Sequence, residues 1–158
     1  MTTLFRRRFA LAFAVLIAAT PAVLGMSRQD AGIKWDHFNG KVSPLAPLLE
    51  KQGAKVDADA AENALALVAE DGKIYNLVKD NGSRMFYMDS GLLNRPMRLT
   101  ARVIPGSQML QVLNVHSYVK GQLHEVYYWC DICTIRTNEP GDCPCCSAKF
   151  VFREVPVK

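Results

Sequence analysis

Apolar and polar residues alternate without a break over residues 97–103. Met97, Leu99, Ala101 and Val103 fall on one side, with Arg98, Thr100 and Arg102 on the other. A period of two predicts a half-buried strand. Residues 109–118 and 123–129 predict two more strands, set off by turns at Pro105-Gly106-Ser107 and Lys120-Gly121. Upstream, residues 64–68 and 74–78 flank Glu70-Asp71-Gly72-Lys73, the layout of a β-hairpin. A closing strand is expected over 149–155. Residues 35–42 are a weaker strand, because Trp35 and Phe38 are three apart rather than two or four.

Helical signals are few. Ser43-Pro44 reads as an N-cap followed by proline at the first helical position, ahead of Leu45, Leu48 and Leu49, with Gly53 as the stop. Residues 57–63 are polar and alanine-rich, a short helical turn or a loop. Ser83 is placed to cap a short helix through Met88, and Ser90-Gly91 ends it. Several short strands with one small helix near the middle suit a five-stranded Greek-key barrel of the oligonucleotide/oligosaccharide-binding (OB) type. The expected fold class is therefore mostly β (α+β), a small OB-like antiparallel barrel or sheet. A plain antiparallel sheet with helices on one face is the alternative.

The strongest chemical signal lies at the C-terminal end. All five cysteines, Cys130, Cys133, Cys143, Cys145 and Cys146, fall between positions 130 and 146. Taking Cys143 with Cys146 gives C-x2-C-x9-C-x2-C, with Cys145 left over as a possible alternative ligand. Two such knuckles can set four thiolates about 2.3 Å from a tetrahedral Zn2+. Pro144 and Gly141 suit turns that point backbone amides at the sulfurs. A structural zinc ribbon is the leading expectation. Iron is the alternative cofactor, since the same thiolates can hold it in a redox site of the rubredoxin kind. Disulfides are a third reading for an exported chain, although five cysteines leave an odd thiol and adjacent Cys145 and Cys146 restrict the bridges. Metal capture or delivery is a fourth, in which the fifth thiolate permits ligand exchange.

The segment from Tyr128-x-Cys130 through Glu139-Pro140-Gly141-x-Cys143-Pro144-x-Cys146 resembles the short heavy-metal-binding segment of bacterial metal-efflux proteins. In that family the first knuckle carries methionine and histidine, and glycine-methionine follows the last cysteine. Here the first knuckle is Cys130-Asp131-Ile132-Cys133, and Ser147-Ala148 follows. Both departures favour a closed four-thiolate site over a copper or heavy-metal one. The same stretch is also similar to a group of uncharacterised exported bacterial proteins. These end in a tyrosine-rich strand, a C-x2-C-x-I-R segment and a P-G-x-C-x-C-C segment. That resemblance implies export and a ribbon-like end, with no activity attached.

Residues 1–25 have the layout of a secretory signal peptide: Arg6-Arg7-Arg8, an apolar run from position 9 to 19, Pro21, then Val23-Leu24-Gly25. Arg6-Arg7-Arg8-Phe9 loosely matches a twin-arginine export pattern. An uncleaved anchor is the third possibility, at the short limit for a spanning helix. Three of the 19 basic residues lie in this segment, which leaves 16 against 15 acidic ones, or +1. The chain's +4 is thus largely a targeting feature. No electrostatic footprint for nucleic acid remains, and no nucleic-acid partner is expected. Membrane contact is expected only through an uncleaved N-terminal segment.

The remaining candidates are weaker. His124 precedes Cys130 by six residues and is a candidate ligand or supporting partner. His37 and His116 have no identifiable acid–nucleophile set. Ser107 and Ser117 lack the flanking glycines of a nucleophile elbow, and Asp71-Gly72-Lys73 is a turn, not a phosphate-binding loop. Arg98, Arg102, Lys73 and Tyr75 would share one exposed face, more simply read as solvated. Tyr127, Tyr128 and Trp129 are expected to pack between barrel and ribbon. The expected organisation is a signal peptide over 1–25, a flexible leader over 26–34, a β-rich OB-like domain over 35–126 and a zinc-ribbon-like segment over 127–158. The expected role is that of an exported, non-enzymatic zinc-binding protein of the periplasm or cell envelope, working through an unknown protein partner. The alternative is an envelope metal-handling or rubredoxin-like redox protein.

Overall fold

The computed structural model describes residues 34–57 and 63–158. The expected signal peptide, the leader up to residue 33, and residues 58–62 lie outside them. Among the described residues the strands are β1 (Asp36–Pro44), β2 (Leu65–Ala69), β3 (Ile74–Leu77), β4 (Pro96–Val103), β5 (Met109–Val119), β6 (Gln122–Trp129), β7 (Arg136–Thr137) and β8 (Val151–Pro156). Two short helices join them, α1 (Leu45–Lys51) and α2 (Arg84–Met88), with a single 3-10 turn at Ser90–Leu92. No helix among the described residues is long and apolar enough to cross a membrane.

The first five strands close into a ring. β1 pairs antiparallel with β2 and with β4. β2 pairs with β3, and β4 with β5. The ring shuts where β3 meets β5 in parallel, Asn76 opposite Met109 and Leu77 opposite Leu110. The Asn76 and Val78 amides donate to the Gln108 and Leu110 carbonyls there, at 3.0 Å each. With α2 between β3 and β4, this is the connectivity expected of an OB-type barrel.

Alternation decides which side chains fill the ring. Met97, Leu99 and Ala101 of β4 point inward as the sequence predicts, and meet Val42, Leu67, Leu77, Leu110, Val112 and Val115. Met85 and Phe86 of α2 and Leu92 of the following turn add to the same buried cluster. Close backbone approach explains two glycines. A Cβ on Gly40 would sit 2.2 Å from the Val68 carbonyl oxygen, and one on Gly82 would sit 1.9 Å from that of Val112.

Some local expectations shift. Ser43 lies within β1 instead of capping a helix: its hydroxyl donates to Asn94 Oδ1 at 2.6 Å, and Pro44, the last residue of β1, takes the N-cap position. Ser83 does sit at the N-cap of α2, yet its hydroxyl turns back to the Val78 carbonyl rather than to the helix. The Lys120-Gly121 turn is a two-residue hairpin with φ of 51° and 80°, the left-handed pair that a tight β-turn requires.

β6 leaves the barrel along the edge of β5, pairing over His116–Val119, and carries the C-terminal segment. It runs unbroken through position 126/127, where the two-part reading places its boundary. From His124 onward β6 pairs with β8 on one side, and at Tyr128 and Trp129 with the two-residue β7 on the other. Polar ties join this extension to the barrel. The Tyr128 hydroxyl donates to Asp89 Oδ2 at 2.6 Å, Arg84 pairs with Glu139 at 3.0 Å, and Arg95 and Ser117 both meet the Glu154 carboxylate. Phe152 packs edge-on against Tyr128, with ring centroids 5.6 Å apart.

Candidate metal centre

Cys130, Cys133, Cys143 and Cys146 converge, with all four sulfurs within 4.8 Å of one another. A tetrahedron with metal–sulfur bonds of about 2.3 Å has sulfur–sulfur edges of about 3.8 Å, so the set is close to the required size. One cross-knuckle pair, Cys130 and Cys146, is 3.5 Å apart. All five thiols are free. A cluster of four sulfurs with no other donor suits a thiophilic metal ion, and zinc and iron both meet that description.

The geometry has an internal two-fold repeat. In the first knuckle the Cys130 amide donates to the Ile135 carbonyl and the Thr134 amide to the Cys130 carbonyl, at 2.9 and 2.8 Å. In the second, the Cys143 amide donates to Ala148 and the Ser147 amide to Cys143, at 2.8 Å each. Thr134 and Ser147 both take positive φ, 55° and 60°. This is the left-handed residue that turns each loop back after its second cysteine. Cys130 and Cys143, which open the knuckles, are buried; Cys133 and Cys146 are half-buried. Backbone N–H groups aim at the buried sulfurs, that of Cys133 reaching Cys130 Sγ at 3.4 Å.

Those amides bear on proton affinity. Burial opposes ionisation of Cys143, but the amides of Cys145 and Cys146 and the thiols of Cys130 and Cys146 outweigh it, bringing Cys143 down to about 7. Cys133 moves the other way, pushed well up by the neighbouring thiol of Cys145 first, then by that of Cys146 and by burial. Cys143 therefore gives up its proton more readily than Cys133, whose thiol keeps its own. A metal ion that takes all four thiols would displace their protons, so its affinity would rise with pH.

The repeat also places Cys145. It is the second spacer residue of its knuckle, equivalent to Ile132 in the first, and both are exposed. Cys145 thus lies beside the four-sulfur set without joining it. Its effect on Cys133 is what sequence spacing could not show. His124 does not reach the centre: it sits near the start of β6, opposite Ser117, with Nδ1 2.9 Å from the Gln122 carbonyl oxygen.

Other candidates separate as well. Arg98 and Arg102 share the outer face of β4, where Arg98 lies over Tyr118 and Arg102 over Trp35. Tyr75 instead turns toward the core against Phe38, and Lys73 pairs with Asp71 in the hairpin turn. The four do not form one face. Nor do the three aromatics of β6 act together. Tyr128 is buried between barrel and extension, whereas Tyr127 and Trp129 occupy the outer face, edge to face at 6.3 Å. Ser117 is buried and spent on Glu154, and the His37 Nδ1 lies 3.2 Å from the Thr100 hydroxyl.

Comparison with protein-family models, with curated proteins and with solved structures gives no match for this chain. The reading of the centre rests on its own geometry.

Proposed function

We propose that the protein is an exported, non-enzymatic zinc-binding protein of the cell envelope, in which a four-cysteine site fixes the end of an OB-like barrel so that it can serve as an interaction module. The single observation that carries the metal is the convergence of Cys130, Cys133, Cys143 and Cys146 within 4.8 Å, built from two matching knuckles. Its position supports a structural role. The knuckles join β6 to β7 and β8, strands too short or too edge-placed to hold by pairing alone. Export rests on the layout of residues 1–25 and on the resemblance to exported bacterial proteins, and the proposed partner is a protein of the same compartment.

A second reading is favoured by one observation, the exposed thiol of Cys145 next in the chain to Cys146 and outside the four-sulfur set. A spare thiol beside a filled site is what metal transfer or a redox cycle would use. Cys143→Ser and Cys145→Ser separate the two readings. For a structural site, Cys143→Ser loses metal and loosens the C-terminal strands, while Cys145→Ser keeps metal content, fold and metal-exchange rate. If Cys145→Ser retains metal and fold but slows exchange with a chelator several-fold, the handling reading replaces the structural one.

A further inference from the structure

We propose that the cleft between the barrel and the C-terminal extension binds a short neutral saccharide. The cleft is about 360 Å3 and is lined by Asn81, Asn114, Glu125, Arg136, Thr137 and Asn138. That volume lies at the small end of ligand pockets, room for one or two sugar rings.

The lining comes from separate parts of the fold. Asn81 precedes α2, Asn114 belongs to β5, Glu125 to β6, and Arg136 to Asn138 run through β7. A fault in β5 puts Asn114 there. Opposite Thr100 and Ala101 of β4 stand Asn114 and Val112, so Leu113 is an extra residue. Without it the alternation that buries Leu110 and Val112 would turn Asn114 into the core. The bulge reverses the phase, so Val115 and Ser117 go inward and Asn114 and His116 outward. Bulges of this kind re-aim side chains next to binding sites.

The chemistry of the lining selects the ligand. Among the described residues, the side chains of Asn81, Asn114 and Asn138 have no hydrogen-bond partner in the protein. Three amides therefore offer donors and acceptors side by side, the pairing that a ring of hydroxyl groups satisfies. The two charges cancel, since Arg136 pairs with Glu125 at 2.8 Å. A phosphate or sulfate would gain nothing over water from that pair and would face the Glu125 carboxylate. Continuing along the outer face of β6, Tyr127 carries the Arg136 guanidinium 4.3 Å from its ring centroid, with Trp129 beyond it. That stacking holds Arg136 at the rim of the cleft. At the margin of the cleft, His116 stands opposite Glu125, and its Nδ1 is buried without a partner. This proposal does not depend on which metal the thiolates hold or on whether they hold one.

The test uses the full chain on an array of neutral hexose and N-acetylhexosamine oligosaccharides, with sulfated oligosaccharides and a single-stranded oligonucleotide as competing probes. Neutral members are expected to bind. Calorimetry on the best of them, with Asn114→Ala and Asn138→Ala, should show each change weakening affinity roughly 2- to 13-fold, one lost hydrogen bond apiece. Metal content and circular dichroism of both variants should match the parent, which keeps a failed ribbon distinct from a failed cleft. Retention of sulfated probes or oligonucleotide alone, no retention at all, or binding that ignores both substitutions would overturn the proposal.

Discussion

Tyr128→Phe removes one oxygen and tests whether the C-terminal extension is locked to the barrel. Tyr128 is 3% exposed, and its hydroxyl donates to Asp89 Oδ2 at 2.6 Å. Burial first, and then this carboxylate, push the phenol well above its ordinary value. A hydrogen bond to a charged group contributes about 1.5–3 kcal/mol. Asp89 also accepts from the Gly91 amide at 2.9 Å through its other oxygen, so the variant does not strand a bare carboxylate. The lower end of the range, about 1.5–2 kcal/mol, is therefore expected. At about 3–5 °C per kcal/mol for a domain of this size, Tm should fall by roughly 5–10 °C. Urea unfolding should show a lower midpoint at unchanged slope. A double-mutant cycle with Asp89→Asn, which keeps an acceptor for Gly91, should give a coupling of at least about 1 kcal/mol. A variant within about 0.3 kcal/mol of the parent, or strictly additive changes, would refute the reasoning and leave the extension loosely attached.

Three further outcomes follow from single features. In metal-loaded protein at neutral pH, iodoacetamide should modify Cys145 alone, because the other four thiols are buried or half-buried and engaged; mass spectrometry of the peptides reads this directly. Gly82→Ala drives a Cβ to within 1.9 Å of the Val112 carbonyl oxygen and should cost about 2–3 kcal/mol in denaturant unfolding, with no loss of metal. Tyr87 and Tyr128 both have raised pKa values, so above pH 10 the unfolded chain releases protons that the folded one keeps. Stability from these groups is full below pH 10 and declines above it, and these two of the five tyrosines should ionise at higher pH in the folded chain than in the unfolded one.

Much of the barrel is legible in the sequence because one face of each strand is buried. The alternation over 97–103 and the Asp71-Gly72 turn translate directly into β4 and the β2–β3 hairpin. β1 is harder to read: Phe38 and Val42 point inward, but Trp35 lies ahead of the strand, under Arg102. β7 has only two residues and carries no periodic signal at all. The four-sulfur set follows from spacing, since two knuckles constrain their own geometry. The influence of Cys145 on Cys133 does not, because it depends on how the two loops pack together. The cleft has no motif of its own, yet one trace of it is visible. Buried positions in β5 slip from Leu110 and Val112 to Val115 and Ser117, and that change of phase marks the bulge that turns Asn114 outward.

The most direct measurement is elemental analysis of the purified chain paired with a thiol count under denaturing, chelating conditions. The four-thiolate account expects one zinc per chain and all five thiols free. One iron at the same stoichiometry would keep the site and replace the structural role with a redox one. No metal and a single free thiol would mean two disulfides, and the metal centre would be abandoned.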